Sequence, residues 1–139
     1  MFQSDVSFIQ LNMKKAFAAA VELNASIKKV KDYICLISEP HIFKGKLSSL
    51  PPKCQAISQE NNPRTAIIAS RNLRIIKLGH LSNRDCTVAL LKNKKESILI
   101  TSIYMDIKME MIPGWLEKVV EFARSKKEPT DHRDGFQCT

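Results

Sequence analysis

Residues 32–40 read DYICLISEP, an apolar run of strand length that ends at Ser38, Glu39 and Pro40. Upstream, residues 8–12 (FIQLN) predict a short strand with alternating polar positions. The segment between them, residues 13–31, changes to a helical period. A strand, a long helix and a second strand form a βαβ unit, so we expect the two strands to be parallel neighbours.

The segment 13–31 predicts a helix because its apolar residues recur at helical spacing and because alanine is a strong helix former. The expected buried face comprises Ala16, Ala19, Ala20, Leu23 and Ile27. A second helix is predicted in IPGWLEKVVEFARSKK (residues 112–127), where Pro113 suits the first turn.

Residues 41–63 lose all periodicity and contain a Pro-Pro pair and an Asn-Asn-Pro stop, so they predict a long loop. β-like runs follow, separated by short turns, which predicts an antiparallel meander. The runs are residues 64–70, 73–77, 85–91 and 97–104. Helices and strands together predict one α+β domain without an internal repeat or linker.

The composition suits a single domain with a core, since 44% of the 139 residues are hydrophobic. Lysine and arginine number 22 against 14 acids, giving a net charge of +8 and a pI near 9.5. This excess fits either a polyanionic partner such as nucleic acid or a basic face that only keeps the protein soluble. No run is long enough to span a membrane, and MFQSDVSF has no secretory signal, so we expect a nuclear or cytoplasmic protein. The sequence indicates no protein partner.

The four cysteines lack any C-x-x-C spacing, which argues against a zinc site or a disulfide framework. Cys35 and Cys86 sit in the apolar runs YICLI and DCTVALL. We expect both to behave as small buried hydrophobes.

Polar residues close both strands of the predicted βαβ unit, Asn12 the first and Glu39 the second. Ligands of open α/β sheets bind beyond the carboxyl ends of the strands, so both side chains could reach one site. A carboxylate beside an amide oxygen suits part of a Mg²⁺ shell. The structural alternative is that Asn12 caps the helix and Glu39 is a solvated turn residue.

Tyr104 and Asp106 end the last predicted strand in SIYMD. A tyrosine at a strand end is usually an amphipathic residue at the edge of the core.

The order of these segments resembles the endonuclease domain of non-LTR retrotransposons. The matching stretches are QLNMKKAFAA, YICLISEPHIFKGKLSSLP, NPRTAIIAS, NRDCTVALL and SIYMD. That family is a branch of the endonuclease/exonuclease/phosphatase superfamily, which includes the apurinic/apyrimidinic endonucleases. The resemblance covers about residues 8–127, and it implies that residues 1–129 form the N-terminal part of such a domain. The implied fold is a truncated half of a two-layer α/β sandwich.

The resemblance also implies roles for single residues. Asn12 would sit in the active site, Glu39 would bind a divalent metal ion, and Tyr104 would line the pocket for the scissile phosphate. The metal would be Mg²⁺ or Mn²⁺, the substrate DNA, and the reaction phosphodiester hydrolysis that nicks the target site. Ser38 stands where the family more often has Gln, a departure that affects an outer contact rather than the metal ligand itself.

The family's remaining catalytic groups lie in D-x-N and S-D-H motifs, and the printed chain has neither in a usable place. We therefore expect weak or absent metal binding and an inactive chain. Residues 130–139 (TDHRDGFQCT) have no pattern, yet their codons can be chosen so that the next frame reads LIIGMDSNAH. That is an apolar strand with a D-x-N-A-H ending, so we interpret residues 130–139 as an out-of-frame tail. Its composition offers no strand or helix period, and we expect it to be disordered or loosely docked. We also expect the inner faces of residues 64–70 and 97–104 to lie exposed as an apolar patch.

Three functional hypotheses remain. The first is an inactive fragment of a Mg²⁺-dependent DNA endonuclease. The second is a non-catalytic, basic nucleic-acid-binding module of the same fold, and the third is an α/β domain whose charges only keep it soluble. A nicking assay separates the first two, and salt-dependent DNA binding separates the last two.

Overall fold

The computed structural model describes residues 6–93, 96–104, 122 and 136–138. The predicted βαβ unit is confirmed, as β1 (Val6–Asn12), α1 (Phe17–Ile27) and β2 (Asp32–Ser38) follow one another and β1 lies parallel to β2. β2 is buried at every position except its last. Burial on both faces explains why its sequence is a continuous apolar run.

Helix α1 begins later and ends earlier than the predicted segment 13–31. The late start has a backbone cause: Lys14 and Lys15 have φ values of 50° and 61°, which no right-handed helix contains. Ala16, the N-cap, is extended and exposed. The buried residues of the helix all belong to the predicted face: Ala20, Leu23 and Ile27.

The other strands complete two four-stranded sheets and a separate hairpin. The first sheet has the order β1-β2-β6-β5, with β5 at Gln55–Ile57 and β6 at Thr65–Ala69. The second has the order β10-β9-β8-β7, with β7 at Arg74–Lys77, β8 at Cys86–Lys92, β9 at Ser97–Ile103 and β10 at Phe136–Cys138. The hairpin pairs β3 (Ile42–Phe43) with β4 (Lys46–Leu47). The chain is thus a small, sheet-rich α+β domain, as its sequence predicts.

Side chains of both sheets share one buried cluster, while α1 covers the other face of the first sheet. The shared cluster contains Ile34, Leu36, Ile57, Ile67 and Ala69 from the first sheet, and Ala89, Leu91 and Ile100 from the second. Each large aliphatic side chain buried in this way stabilises the fold by about 1.5–3 kcal/mol. The expected apolar patch is therefore wrong: β6 is buried throughout, as are residues 99–103, because each sheet covers the inner face of the other.

The predicted meander is correct for β7, β8 and β9, which are antiparallel neighbours. It is wrong for β6, which pairs with β2 and β5 instead. Residues 70–73 carry the chain across to the second sheet in a turn closed by the bond from Leu73 N to Ser70 O at 3.2 Å. The Ser70 hydroxyl donates to Asp32 and accepts from Tyr33 N, so the crossing is anchored at the start of β2.

The predicted loop 41–63 contains more structure than its composition indicates. The hairpin β3–β4 turns through Lys44 and Gly45, whose φ values of 52° and 80° match the mirror-image turns that tight hairpins favour. β5 forms an edge of the first sheet. Both features rest on strands of two or three residues, too short to produce a period.

Residues 136–138 form β10, parallel to β9. Of the two expected states of residues 130–139, disorder is therefore wrong for these three residues, whereas the out-of-frame interpretation stays a prediction. The predicted helix 112–127 lies outside the described residues except for Phe122, which is helical and packs on a cluster formed by Cys86, Val88, Leu99 and Ile103. Cys35 and Cys86 are fully buried, as predicted. Among the described residues, no helix has the length and apolar character needed to cross a membrane.

Candidate active site

The predicted site residues lie at one rim of the two sheets. β1 and β2 end at this rim and β6 begins there, since Asn12 is opposite Ser38 and Ser38 is opposite Thr65. β8 begins and β9 ends at the same rim, where Cys86 is opposite Ile103. Buried hydroxyls fasten the two sheets just beneath it: Thr65 Oγ1 lies 2.8 Å from Thr87 Oγ1, and Ser102 Oγ donates to Ile37 O at 2.9 Å.

Asn12 and Glu39 occupy neighbouring strand ends, as predicted. Backbone hydrogen bonds join the two turns, from Met13 N to Ser38 O at 3.0 Å and from Lys15 N to Glu39 O at 2.8 Å. The turns after β1 and β2 therefore form one continuous surface. The predicted placement of the two residues at neighbouring strand ends is therefore confirmed, whereas their functional roles stay predictions.

Asn12 does not cap helix α1, so the part of the structural alternative that concerns Asn12 is wrong. Its Oδ1 accepts from Lys14 N at 2.8 Å and closes a turn of its own, well before the helix begins at Phe17. The side chain is exposed. An amide oxygen has two lone pairs, so this bond leaves Oδ1 with a further acceptor position.

Glu39 is held in a left-handed backbone conformation, with φ of 46°. Its N–H donates to Arg64 O at 2.8 Å, and its carbonyl accepts from Lys15 N at the same distance. Its carboxylate makes no hydrogen bond or ion pair with any residue that the structure describes. With Lys14 and Lys15, it is one of three left-handed non-glycine residues at this point of the rim. Such conformations cost about 1–3 kcal/mol each and cluster at functional sites.

Tyr104 follows β9, where its N–H donates to Asp85 O at 2.8 Å. The side chain is half-buried, and the Arg64 guanidinium carbon lies 5.2 Å from the centre of its ring. This is a cation–π contact. Asp106, the other residue noted in SIYMD, lies outside the described residues.

Arg64 is the residue of this site that the sequence analysis missed. Its backbone carbonyl receives the Glu39 N–H, its side chain stacks on Tyr104, and its Nε lies 3.4 Å from Asp85 Oδ1. It therefore links the turn of Glu39 to the end of β9. A signal was available in NPRTAIIAS, where one basic residue stands between a proline and a fully buried strand.

A divalent cation fits this rim in part. Glu39 offers a carboxylate that bonds to no residue in the described part of the chain, and Asn12 offers an amide oxygen; both are of the hard-oxygen type that Mg²⁺ prefers. No group of three or more His, Cys, Asp or Glu residues is arranged for a metal within the described part of the chain. The two side chains are therefore suited to a partial shell that phosphate oxygens and water would complete.

A polar cleft of about 320 Å³ lies between the loop after β5 and the segment after β7. Its lining residues are Gln59, Glu60, Asn61, Lys77, Gly79, Ser82 and Asn83. None of the predicted site residues lines it, so the candidate site is separate from this cleft.

No protein-family model matches this chain, and no curated protein matches it. Its structure is similar to a solved structure described as "Endonuclease domain of TRAS1, a telomere-specific non-LTR retrotransposon", with a TM-score of 0.60 and 22% sequence identity. The similarity covers 85% of this chain and 52% of the solved one, so the chain spans about half the length of that domain. The described part of the chain thus has an endonuclease-like fold, similar to that of a retrotransposon endonuclease domain.

Proposed function

We propose that this chain is part of a Mg²⁺-dependent DNA endonuclease that nicks target DNA for retrotransposition. The observation that carries the proposal is the Glu39 carboxylate, which bonds to none of the described residues and is held in a left-handed turn beside Asn12. The endonuclease-like fold supports it independently. On this proposal the chain is the N-terminal half of a two-layer sandwich of the endonuclease/exonuclease/phosphatase type. A DNA substrate fits a nuclear or cytoplasmic location.

In the proposed site, Glu39 and Asn12 hold the metal ion through their side-chain oxygens. A bound Mg²⁺ or Mn²⁺ supplies Lewis-acid polarisation of a phosphoryl oxygen. Tyr104 borders the position of the phosphate, and Arg64 keeps the Tyr104 ring in place while its own charge attracts the backbone of the nucleic acid. Lys14 and Lys15 add positive charge next to the same turn.

We further propose that the chain does not cleave DNA by itself. The carboxylate–histidine pair and the D-x-N motif that the resemblance requires for water activation are not in a usable place in the printed sequence. One carboxylate holds Mg²⁺ weakly, because such sites normally combine more charge with substrate phosphates. The second candidate, a non-catalytic basic nucleic-acid-binding module, is favoured by the net charge of +8.

The test combines supercoiled-plasmid nicking with DNA binding in Mg²⁺ or Mn²⁺, using the purified chain and Glu39→Gln. We expect no nicking, and metal-enhanced DNA binding that Glu39→Gln abolishes. The matched control is Glu22→Gln on the exposed side of α1, which should bind as the unmodified chain does.

Each result separates the candidates. DNA binding that is salt-dependent but indifferent to metal and to Glu39→Gln favours the non-catalytic module. If the chain nicks DNA in the presence of metal and Glu39→Gln removes this activity, the endonuclease proposal stands. The proposal that the chain is inactive by itself is then overturned. Absence of any DNA binding at low salt contradicts both candidates.

A further inference from the structure

Two phenylalanines are the most exposed of the large hydrophobic side chains that the structure describes. Phe17 is 58% and Phe43 60% exposed. His41 connects them: its ring centre lies 5.5 Å from that of Phe17 in an edge-on arrangement, and it stands two residues before Phe43 at the start of an extended hairpin. Alternate residues of an extended chain project to the same side, so Phe17, His41 and Phe43 form an aromatic row.

The hairpin that carries this row is braced from several directions. On its inner face, Leu47 packs against the core cluster beneath α1. At its base, Ser48 Oγ lies 2.9 Å from His41 Nδ1, and at its tip Asn62 N donates to Gly45 O at 2.7 Å. An element held this way loses little conformational entropy when a ligand binds its outer face.

Lysines surround the aromatic row. Lys44 Nζ lies 5.3 Å from the centre of the Phe43 ring, and Lys46 is opposite Phe43 in the hairpin, on the same face. Lys14 and Lys15 precede Phe17 and are exposed. Residues 40–59 contain no acidic residue. Exposed rings edged by cations suit a ligand that has both flat apolar faces and regular negative charge.

Nucleic-acid bases and phosphates have this combination. Single-strand-binding surfaces stack bases on aromatic side chains and hold the backbone with lysines and arginines. In duplex DNA the faces of the bases are covered by their neighbours, so a stacking surface of this kind selects unpaired bases. The row also adjoins the proposed site, because Lys15 N donates to Glu39 O and the hairpin follows Glu39 and Pro40 directly.

We propose that the aromatic row binds unpaired bases of a DNA strand whose phosphate backbone passes Glu39, so that single-stranded or locally opened DNA is the preferred ligand. This inference rests on the proposed function and adds a preference within it. Phe43 is the principal stacking residue, Lys44 and Lys46 are the phosphate contacts, and His41 positions Phe17 and the hairpin relative to each other.

The test measures fluorescence anisotropy of the full chain with an oligothymidylate of about 16 nucleotides, with an abasic strand of equal length, and with a duplex. The unmodified chain should bind the oligothymidylate about tenfold more tightly than the abasic strand. Phe43→Ala should remove this preference and leave binding to the abasic strand unchanged. The double variant Lys44→Ala/Lys46→Ala should weaken binding to the oligothymidylate and to the abasic strand alike. It should also lower the slope of log affinity against log salt concentration by about 1.4, or 0.7 for each phosphate contact.

Phe8→Ala is the matched control, since Phe8 is 44% exposed on β1 and has no part in the row. If Phe43→Ala and Phe8→Ala bind oligothymidylate equally well, the stacking proposal is overturned while the proposed function stands. If no DNA is bound at all, both fail. The proposal would also be overturned if the chain bound anionic lipid vesicles more tightly than DNA and this binding depended on Phe43.

Discussion

The titration of a few groups packed beneath helix α1 makes the stability of this protein depend on pH. Burial raises the pKa of the Cys35 thiol to about 12, and the neighbouring Cys54 contributes in the same direction. Burial likewise raises the pKa of the Cys54 thiol and of the Tyr33 phenol. These groups form a neutral cluster next to helix α1, where a charge would lose its hydration.

The raised pKa of Cys35 makes stability depend on pH in one direction. Above pH 9, the ordinary value for the thiol, the unfolded chain releases the proton while the folded chain keeps it. The contribution is therefore complete below pH 9 and is lost as the pH rises towards 12. Urea unfolding at pH 8 and pH 10.5 should show the free-energy difference between the unmodified chain and Cys35→Ala shrinking by about 2 kcal/mol. An unchanged difference would contradict the prediction.

For single residues of the candidate site, the sequence predicts where the polar side chains lie in the sheet but not their backbone conformations or contacts. Asn12 and Glu39 were predictable because parallel strands bring their carboxyl ends together. The left-handed backbone of Glu39 and the contacts of Arg64 were not, because they join residues far apart in the chain. Glu39 bonds to Lys15 and Arg64, and Arg64 contacts Asp85 and Tyr104 without any sequence pattern that links them.

Helix α1 lacks a feature that most helices have at the first position. Its N-cap Ala16 has φ −91° and ψ 130°, the backbone conformation that suits a capping side chain, but makes no side-chain cap. The long polar turn from Asn12 to Lys15 supplies no substitute, since the Asn12 oxygen bonds Lys14 N. The first N–H groups of the helix are consequently left to solvent.

Ala16→Ser should therefore stabilise the protein. A serine hydroxyl at this position accepts from one of the first helical N–H groups and contributes about 1 kcal/mol to the free energy of unfolding, measured with urea. The matched control is Ala25→Ser, also exposed but well beyond the first turn of the helix, where serine costs about 0.5 kcal/mol. Equal effects of both substitutions would show that capping is not the cause.

Helices and strands were predicted correctly where a helical period extended over several turns, or where a strand was buried on both faces. Helix α1 and strand β2 repeat their pattern over several turns or residues, which makes their type clear. β3, β4 and β5 were missed because each has only two or three residues and depends on a partner for its shape. The pairing of β6 was missed because short connections alone do not tell which sheet a strand joins.

Across the whole molecule, the two sheets are joined by polar contacts as well as by apolar packing. Thr65 and Thr87 face each other from different sheets, fully or almost fully buried, with their hydroxyls 2.8 Å apart. A buried hydroxyl that loses its partner costs about 1–3 kcal/mol, more than the net value of the bond itself. This pair therefore favours one relative position of the sheets beneath the candidate site.

Replacing both threonines should cost less than the sum of the two single replacements. Thr65→Val and Thr87→Val should each lower the free energy of unfolding by about 1–2 kcal/mol, because each leaves the other hydroxyl buried without its hydrogen-bond partner. The double variant should lose less than the sum, with a coupling near 1 kcal/mol in a double-mutant cycle. Additive losses would mean that the two hydroxyls have other partners.

The crossing after β6 gives the protein a natural point of division. The described strands of the first sheet all precede Ser70, and those of the second all follow Leu73, so each sheet belongs to one contiguous stretch of chain. Arg71 and Asn72 between them are exposed. Two separately expressed fragments, residues 1–71 and 72–139, should therefore reassemble through the shared apolar cluster without covalent connection. The chain would then serve as a split protein whose complementation reports whether its halves meet.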